Sequence, residues 1–262
     1  MQRSFSLKIS ALFMTMILAL AIVSITPILA QTSQANLKVS TELKNFDNMV
    51  LQSRQEMRKY CAIVQELIKQ EDSQKQATGL EHIRQSTALW ENVQQKFQSQ
   101  PPAEYQPDEK FSARLEAIHQ GIQDMEKQLA DGKFKKALQV CGATCGLFVK
   151  MHEENSLVYA ADRLFHLRKL AKKMIDEEQK SGLTAIKGMM GDLLKLRDNI
   201  FLAPCPAPDD EARCKNYQAA VKTFSAQLDE LAISVVNDNQ TAAENIFKNL
   251  MSAINQAYGI AL

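Results

Sequence analysis

The sequence predicts an all-α protein of two tandem up-down-up-down four-helix bundles related by internal duplication. Three observations predict it. Beyond the N-terminal segment the prolines fall in two clusters only, Pro101, Pro102, Pro107 and Pro204, Pro206, Pro208. Proline is excluded from helix interiors, so the stretches between the clusters are open to helix. Those stretches carry apolar stripes of helical spacing and none of the sustained alternation that marks strands. The stripes also recur. Phe111, Leu115, Ile118, Ile122, Met125 and Leu129 step by four and three residues, and Tyr217, Val221, Phe224, Leu228, Leu231 and Val235 repeat the steps 106 residues later, as in a duplicated unit.

The first element is Met1–Ala30. Arg3 and Lys8 precede an apolar run, Ile9–Ile25, and Pro27 and Ala30 stand before polar Gln31. This is the layout of a cleavable secretory signal, and it predicts an exported, periplasmic product with no membrane span after signal removal. Removing the segment takes away two basic residues and no acid, so the formal charge of the 262-residue chain falls from +1 to −1. A near-neutral balance argues against a nucleic-acid binder, which must neutralise phosphates. An apolar content of 45% supplies a buried core.

Module one covers residues 31–155, with helices expected at about 40–72, 77–99, 108–131 and 133–154. Module two covers 156–262, with helices at about 157–180, 182–201, 212–236 and 239–260. Further matches support the repeat. Ile83, Thr87, Trp90, Val93 and Phe97 map onto Ile186, Met190, Leu193, Leu196 and Ile200 at an offset of 103, as does Gly79 onto Gly182. Ala137, Cys141, Cys145 and Phe148 map onto Ala243, Phe247, Met251 and Ile254 at 106. The offset shifts inside the proline loop, where insertions are tolerated. Asp131-Gly132 and Asn237-Asp238-Asn239 punctuate the third and fourth helices of each copy. Short connections make successive helices antiparallel neighbours. At Asn155-Ser156 the serine either caps a new helix or the helix runs on and stacks the modules.

The five cysteines carry most of the chemistry. Cys141, Cys145, Phe148 and His152 share one helix face. Cys61 lies on the stripe Phe46, Val50, Met57, Cys61, Val64, Ile68 of the first helix. Counted from the adjoining helix ends at about 1.5 Å per residue, Cys61 is level with the pair. A bond from Cys61 to Cys141 or Cys145 is therefore reasonable, and one between Cys141 and Cys145 less so. Cys205 and Cys214 flank the second proline loop and suit a loop-closing disulfide. An odd count leaves at least one thiol unpaired. The alternative is a soft-metal or redox site of Cys61, Cys141, Cys145 and His152, with Met57 or Met151 as further ligands, suited to copper or zinc. His152 stands about 10 Å along the helix from Cys145, which weakens a single four-ligand site. In module two the equivalent positions are Leu164, Phe247, Met251 and Tyr258, so core filling also accounts for them. Gly142 and Gly146 flank the cysteines and either let a neighbouring helix approach closely or leave a pocket, with close approach the favoured reading.

The stretch Ala137–Phe148, ALQVCGATCGLF, resembles the last helix of the cytochrome c-prime family of exported four-helix bundles. The resemblance implies that fold and, in the family, heme attached through Cys-x-x-Cys-His. Here three residues separate Cys141 from Cys145, and Gly146 replaces the histidine, which argues against covalent heme. Non-covalent heme would draw on Met49 or Met57 with His152. A di-iron site is disfavoured because Glu116 and His119 flank the core stripe and point outward. The function expected is non-catalytic binding of a periplasmic protein partner or small ligand. The alternatives are a copper- or zinc-binding redox protein and a non-covalent heme electron carrier.

Overall fold

Four helix starts are fixed by a local side-chain hydrogen bond. Ser40 opens α1 (Thr41–Lys69) by accepting the Leu43 amide at 3.0 Å. Asp72 caps α2 (Ser73–Phe97) through Lys75 N–H, and Asp210 and Asn239 do the same for α8 (Glu211–Val236) and α9 (Gln240–Ala261). Such caps satisfy amides that lack an intrahelical partner. The computed structural model describes residues 40–262. The signal expected over residues 1–30 lies outside them. The remaining helices are α3 (Phe111–Ala130), α4 (Phe134–Glu154), α5 (Ala160–Ser181), α6 (Leu183–Ile186) and α7 (Met190–Phe201). Among the described residues there is no strand, and no helix is long and apolar enough to cross a membrane.

In the first half, α1 packs on α2 and α4, and α3 on α2 and α4. One buried cluster results, running from Leu43 to Met151, with Trp90, Tyr60, Phe46 and Phe148 fully enclosed. Tyr60 Oη donates to Met125 O at 2.6 Å and Trp90 Nε1 to Leu115 O at 3.0 Å, which satisfies the polar ends of both rings. The proline loop after α2 contributes a single 3₁₀ turn, Ala103–Tyr105, whose tyrosine packs with Phe46 and Phe111. In the second half, α5 packs on α7 and α9, and α8 on α9. Ala160 to Leu262 supply a separate buried cluster.

The expected stripes are the buried ones. All twelve residues of the paired stripes in α3 and α8 are core residues. The chain also turns alike after these two helices. Gly132 and Asp238, 106 residues apart, both adopt a left-handed φ, +69° and +51°. Each closes with a six-residue bond, Lys133 N to Gln128 O and Asn239 N to Ser234 O.

Three expectations are corrected. The second helix of module two, expected at 182–201, is broken into α6, a 3₁₀ turn over Lys187–Met189, and α7. Gly188 and Gly191 in this stretch lower the helical preference. Gly182 does not correspond to Gly79 in structure: it ends α5 at φ +72°, while Gly79 is buried inside α2. The helix does not run through residue 155 and Ser156 caps nothing. Ser156 takes φ +58°, Leu157 N returns to His152 O, and α5 begins only at Ala160.

Candidate functional site

The two cores meet across polar side chains. His152, in the last turn of α4, and Asp162, in the first turn of α5, are each 3% exposed. His152 Nδ1 and Asp162 Oδ2 are 2.7 Å apart. The turn at Asn155–Ser156 doubles the chain back and brings the two residues together. Tyr159 packs on the imidazole at a tilt of 38° with centroids 4.3 Å apart, and its hydroxyl donates to Asp47 Oδ2 on α1 at 2.8 Å. Tyr105 completes the group. Its hydroxyl, His152 Nε2 and Asp162 Oδ1 are buried and have no hydrogen-bond partner among the described residues. Burial and the carboxylates of Asp47 and Asp162 push the Tyr105 phenol well above its ordinary range.

A buried His–Asp pair is half of a general-base arrangement. The second half, a nucleophile on Nε2, is not present among the described residues. Two clefts of about 580 and 600 Å³ lie elsewhere, among residues between Leu67 and Lys136 and between Asp210 and Ile260, and neither is lined by His152 or Asp162.

Asp47 is pushed up to about 6, chiefly by burial, with Glu104 and Asp162 adding to the shift while Tyr159 and His152 oppose it. The folded state therefore holds this proton more tightly than the unfolded chain. The stabilising contribution is complete below the ordinary value near 4 and is lost as pH rises through 6. Asn in its place still accepts the Tyr159 bond and has no charge to bury. Asp47→Asn is expected to lie close to wild type at pH 4 and to exceed it at pH 7 by on the order of 3 kcal/mol. Urea unfolding of both proteins from pH 4 to 7 checks this, and a constant gap across the range would contradict it.

The other face of the meeting point is basic. Arg54 of α1 is 7% exposed. Its Nη2 lies 3.5 Å from Tyr258 Oη, and its guanidinium sits 5.0 Å over the Phe148 ring. Arg168 of α5 lies 4.3 Å over the Tyr258 ring and Arg58 of α1 6.0 Å from it. Arg58 Nη1 donates to Gly259 O at 3.2 Å, and Arg168 Nε to Asn255 Oδ1 at 2.7 Å. Burial, with Arg168 and Arg54 close by, holds the Arg58 guanidinium below its ordinary value.

The structure joins Cys61 to Cys141, with Cα atoms 6.4 Å apart, and Cys205 to Cys214, at 5.8 Å. Cys145 is the free thiol. Burial pushes it up against the pull of Arg54, Arg168 and Arg58. The four-ligand set of Cys61, Cys141, Cys145 and His152 is therefore not assembled. Two sulfurs are bonded to each other, and the imidazole turns to Asp162. No group of three His, Cys, Asp or Glu residues suited to a metal occurs among the described residues. Of the residues considered for non-covalent heme, Met57 is buried in the first core, Met49 packs against that core, and the His152 imidazole turns to Asp162. Gly142 does not carry a close approach, since a Cβ there would meet nothing within 4 Å, and Gly146 would meet only Phe165 at 3.8 Å. The tight contact is between Gly121 of α3 and Thr144 of α4.

Asp47, Arg54, Arg58, Tyr105, Tyr159, Asp162, Arg168 and Tyr258 were not singled out by sequence as site residues. One usable signal existed: Arg54 stands one residue after Ser53 and three before Met57, on the buried side of an amphipathic helix. Comparison with known protein families, curated proteins and solved structures gives no match.

Proposed function

We propose that the chain is an exported, periplasmic, non-catalytic binding protein. It is built as two tandem four-helix bundles from a duplicated module, of the cytochrome c-prime kind and without covalent heme. Fold likeness does not assign an activity, so the functional part rests on the polar meeting point of the two halves. The observation that carries it is reciprocal. His152 and Tyr258 occupy equivalent repeat positions in the last turns of α4 and α9, and each reaches across to a buried charged residue of the other half, Asp162 and Arg54. A meeting point built for cohesion alone would be apolar, because burying charge costs free energy unless it is fully paired. Here charge is retained and incompletely paired, which suits a surface that completes its contacts with a bound group.

Native mass spectrometry of the protein purified from a periplasm tests this. The expected spectrum shows a chain beginning at Gln31 with two disulfides and an added non-covalent mass. That mass is lost on denaturation and reduced in Arg54→Gln. A bare chain mass in the native spectrum would overturn the binding reading. A chain beginning at Met1 would overturn the export reading.

A further inference from the structure

The three arginines around Tyr258 have no counter-charge within ion-pair distance. Of the other arginines among the described residues, Arg84, Arg114 and Arg197 each hold a carboxylate, whereas Arg163 and Arg213 do not, and Arg213 donates to Ile260 O instead. Arg54, Arg58 and Arg168 hold none among the described residues, and their hydrogen bonds go to a hydroxyl, a backbone carbonyl and an amide oxygen. Part of this is structural. Arg58 meets the exposed carbonyl near the end of α9, where a cation is favoured, and Arg168 ties α5 to α9 through Asn255. Neither role explains Arg54. Its charge is nearly enclosed, its one bond to Tyr258 is long, and two further cations stand within electrostatic range of it, while the Asp162 carboxylate acts on it only from beyond ion-pair distance.

We propose that Arg54, Arg58 and Arg168 form a binding site for an oxyanion, a phosphate, sulfate or carboxylate group carried by the ligand. The inference names the ligand class for the binding reading above and rests on it. Three observations support it. The guanidinium fork is the side chain best matched to the paired oxygens of such groups. The arginines come from two helices, with Arg54 and Arg58 one turn apart on α1 and Arg168 on α5, so an anion between them ties the first half of the chain to the second. Backbone room is made for the cluster: a Cβ on Gly259 would stand 2.9 Å from Arg58 Nη2, so glycine permits this approach. Arg58 is exposed and Arg168 half-buried, which leaves the cluster open on one side while Arg54 forms its inner wall. Tyr258 Oη, beside Arg54, can add a neutral donor.

The test is calorimetric titration of the full chain with inorganic phosphate, sulfate and acetate at constant ionic strength, with chloride as the balancing salt. Wild type is expected to bind one equivalent of at least one oxyanion. Preference for phosphate and sulfate identifies a tetrahedral group, and preference for acetate a carboxylate. Arg168→Gln and Arg58→Gln, both at least partly solvent-facing, are expected to fold, as checked by circular dichroism, and to weaken binding at least tenfold. Arg54→Gln is expected to abolish it. Absence of saturable binding in wild type, or equal binding in wild type and both outer variants, would overturn the site. Added mass in the native spectrum without any oxyanion response would overturn the anion assignment and leave the binding reading standing. Absence of both would overturn both.

Discussion

Replacing Cys61 and Cys141 by serine is expected to lower the stability of the protein by about 4 kcal/mol, more than any other pair of side-chain changes at the cysteines. The bond joins residues separated by 80 positions, against 9 for Cys205–Cys214. A cross-link acts largely by removing conformations from the unfolded chain, and its effect grows with the logarithm of the loop it closes. The loop entropies come to about 4.5 kcal/mol for the long loop and about 2.7 kcal/mol for the short one. The long bond also ties α1 to α4, the first and last helices of one core, so no other covalent link replaces it. Thermal melts followed by far-ultraviolet circular dichroism should show a fall of about 10 °C for the Cys61/Cys141 double variant, and a smaller fall for Cys205/Cys214. Equal shifts in the two variants, or a larger one at the short loop, would refute the expectation.

Trp90→Ala is expected to cost about 3–5 kcal/mol. Trp90 is fully buried, stands edge-on to Phe148 with centroids 5.3 Å apart, and donates its indole hydrogen to Leu115 O. Alanine would leave a cavity between α2, α3 and α4 and strip a buried carbonyl of its partner. Trp90→Phe keeps the ring contact and loses only the hydrogen bond and part of the volume, so about 1–2 kcal/mol is expected. Chemical denaturation of the two variants separates the terms. A Trp90→Ala loss under 1 kcal/mol would show that the first core does not depend on this ring.

The helical stripes were legible because burial has a period. The residues of α3 and α8 that step by four and three are all buried, and the turns after them sit where Gly132 and Asp238 allow a left-handed backbone. Heights along antiparallel helices also placed Cys61 level with Cys141, its partner in the structure, though they left Cys145 as an equal choice. Other features were not legible for physical reasons. The break in the second helix of the second half depends on how weakly Lys187–Gly191 holds a helix against its tertiary contacts, which an apolar pattern does not report. The site was hidden because it forms from residues that are ordinary in isolation. Asp47 and Tyr159 are 112 positions apart, and Arg54 and Tyr258 are 204 apart. His152 looked like a fourth ligand on a cysteine face, because helical projection shows which way a side chain leaves its own helix. It does not show what the next helix offers it, and α5 offers Asp162.

The order of the bonded cysteines has a consequence for biogenesis. Under the proposed export, a chain delivered N-terminus first through a membrane would present its thiols to an oxidant one after another: Cys61, Cys141, Cys145, Cys205, Cys214. Each bond in the structure joins a cysteine to the next one to arrive, and neither spans another cysteine still waiting for a partner. Oxidation in order of emergence produces Cys61–Cys141 directly and leaves Cys145, four residues later, without a free Cys61 to meet. Cys145 is then the next thiol open to Cys205, so the native Cys205–Cys214 bond requires that Cys145 be withdrawn into the first core before Cys205 arrives.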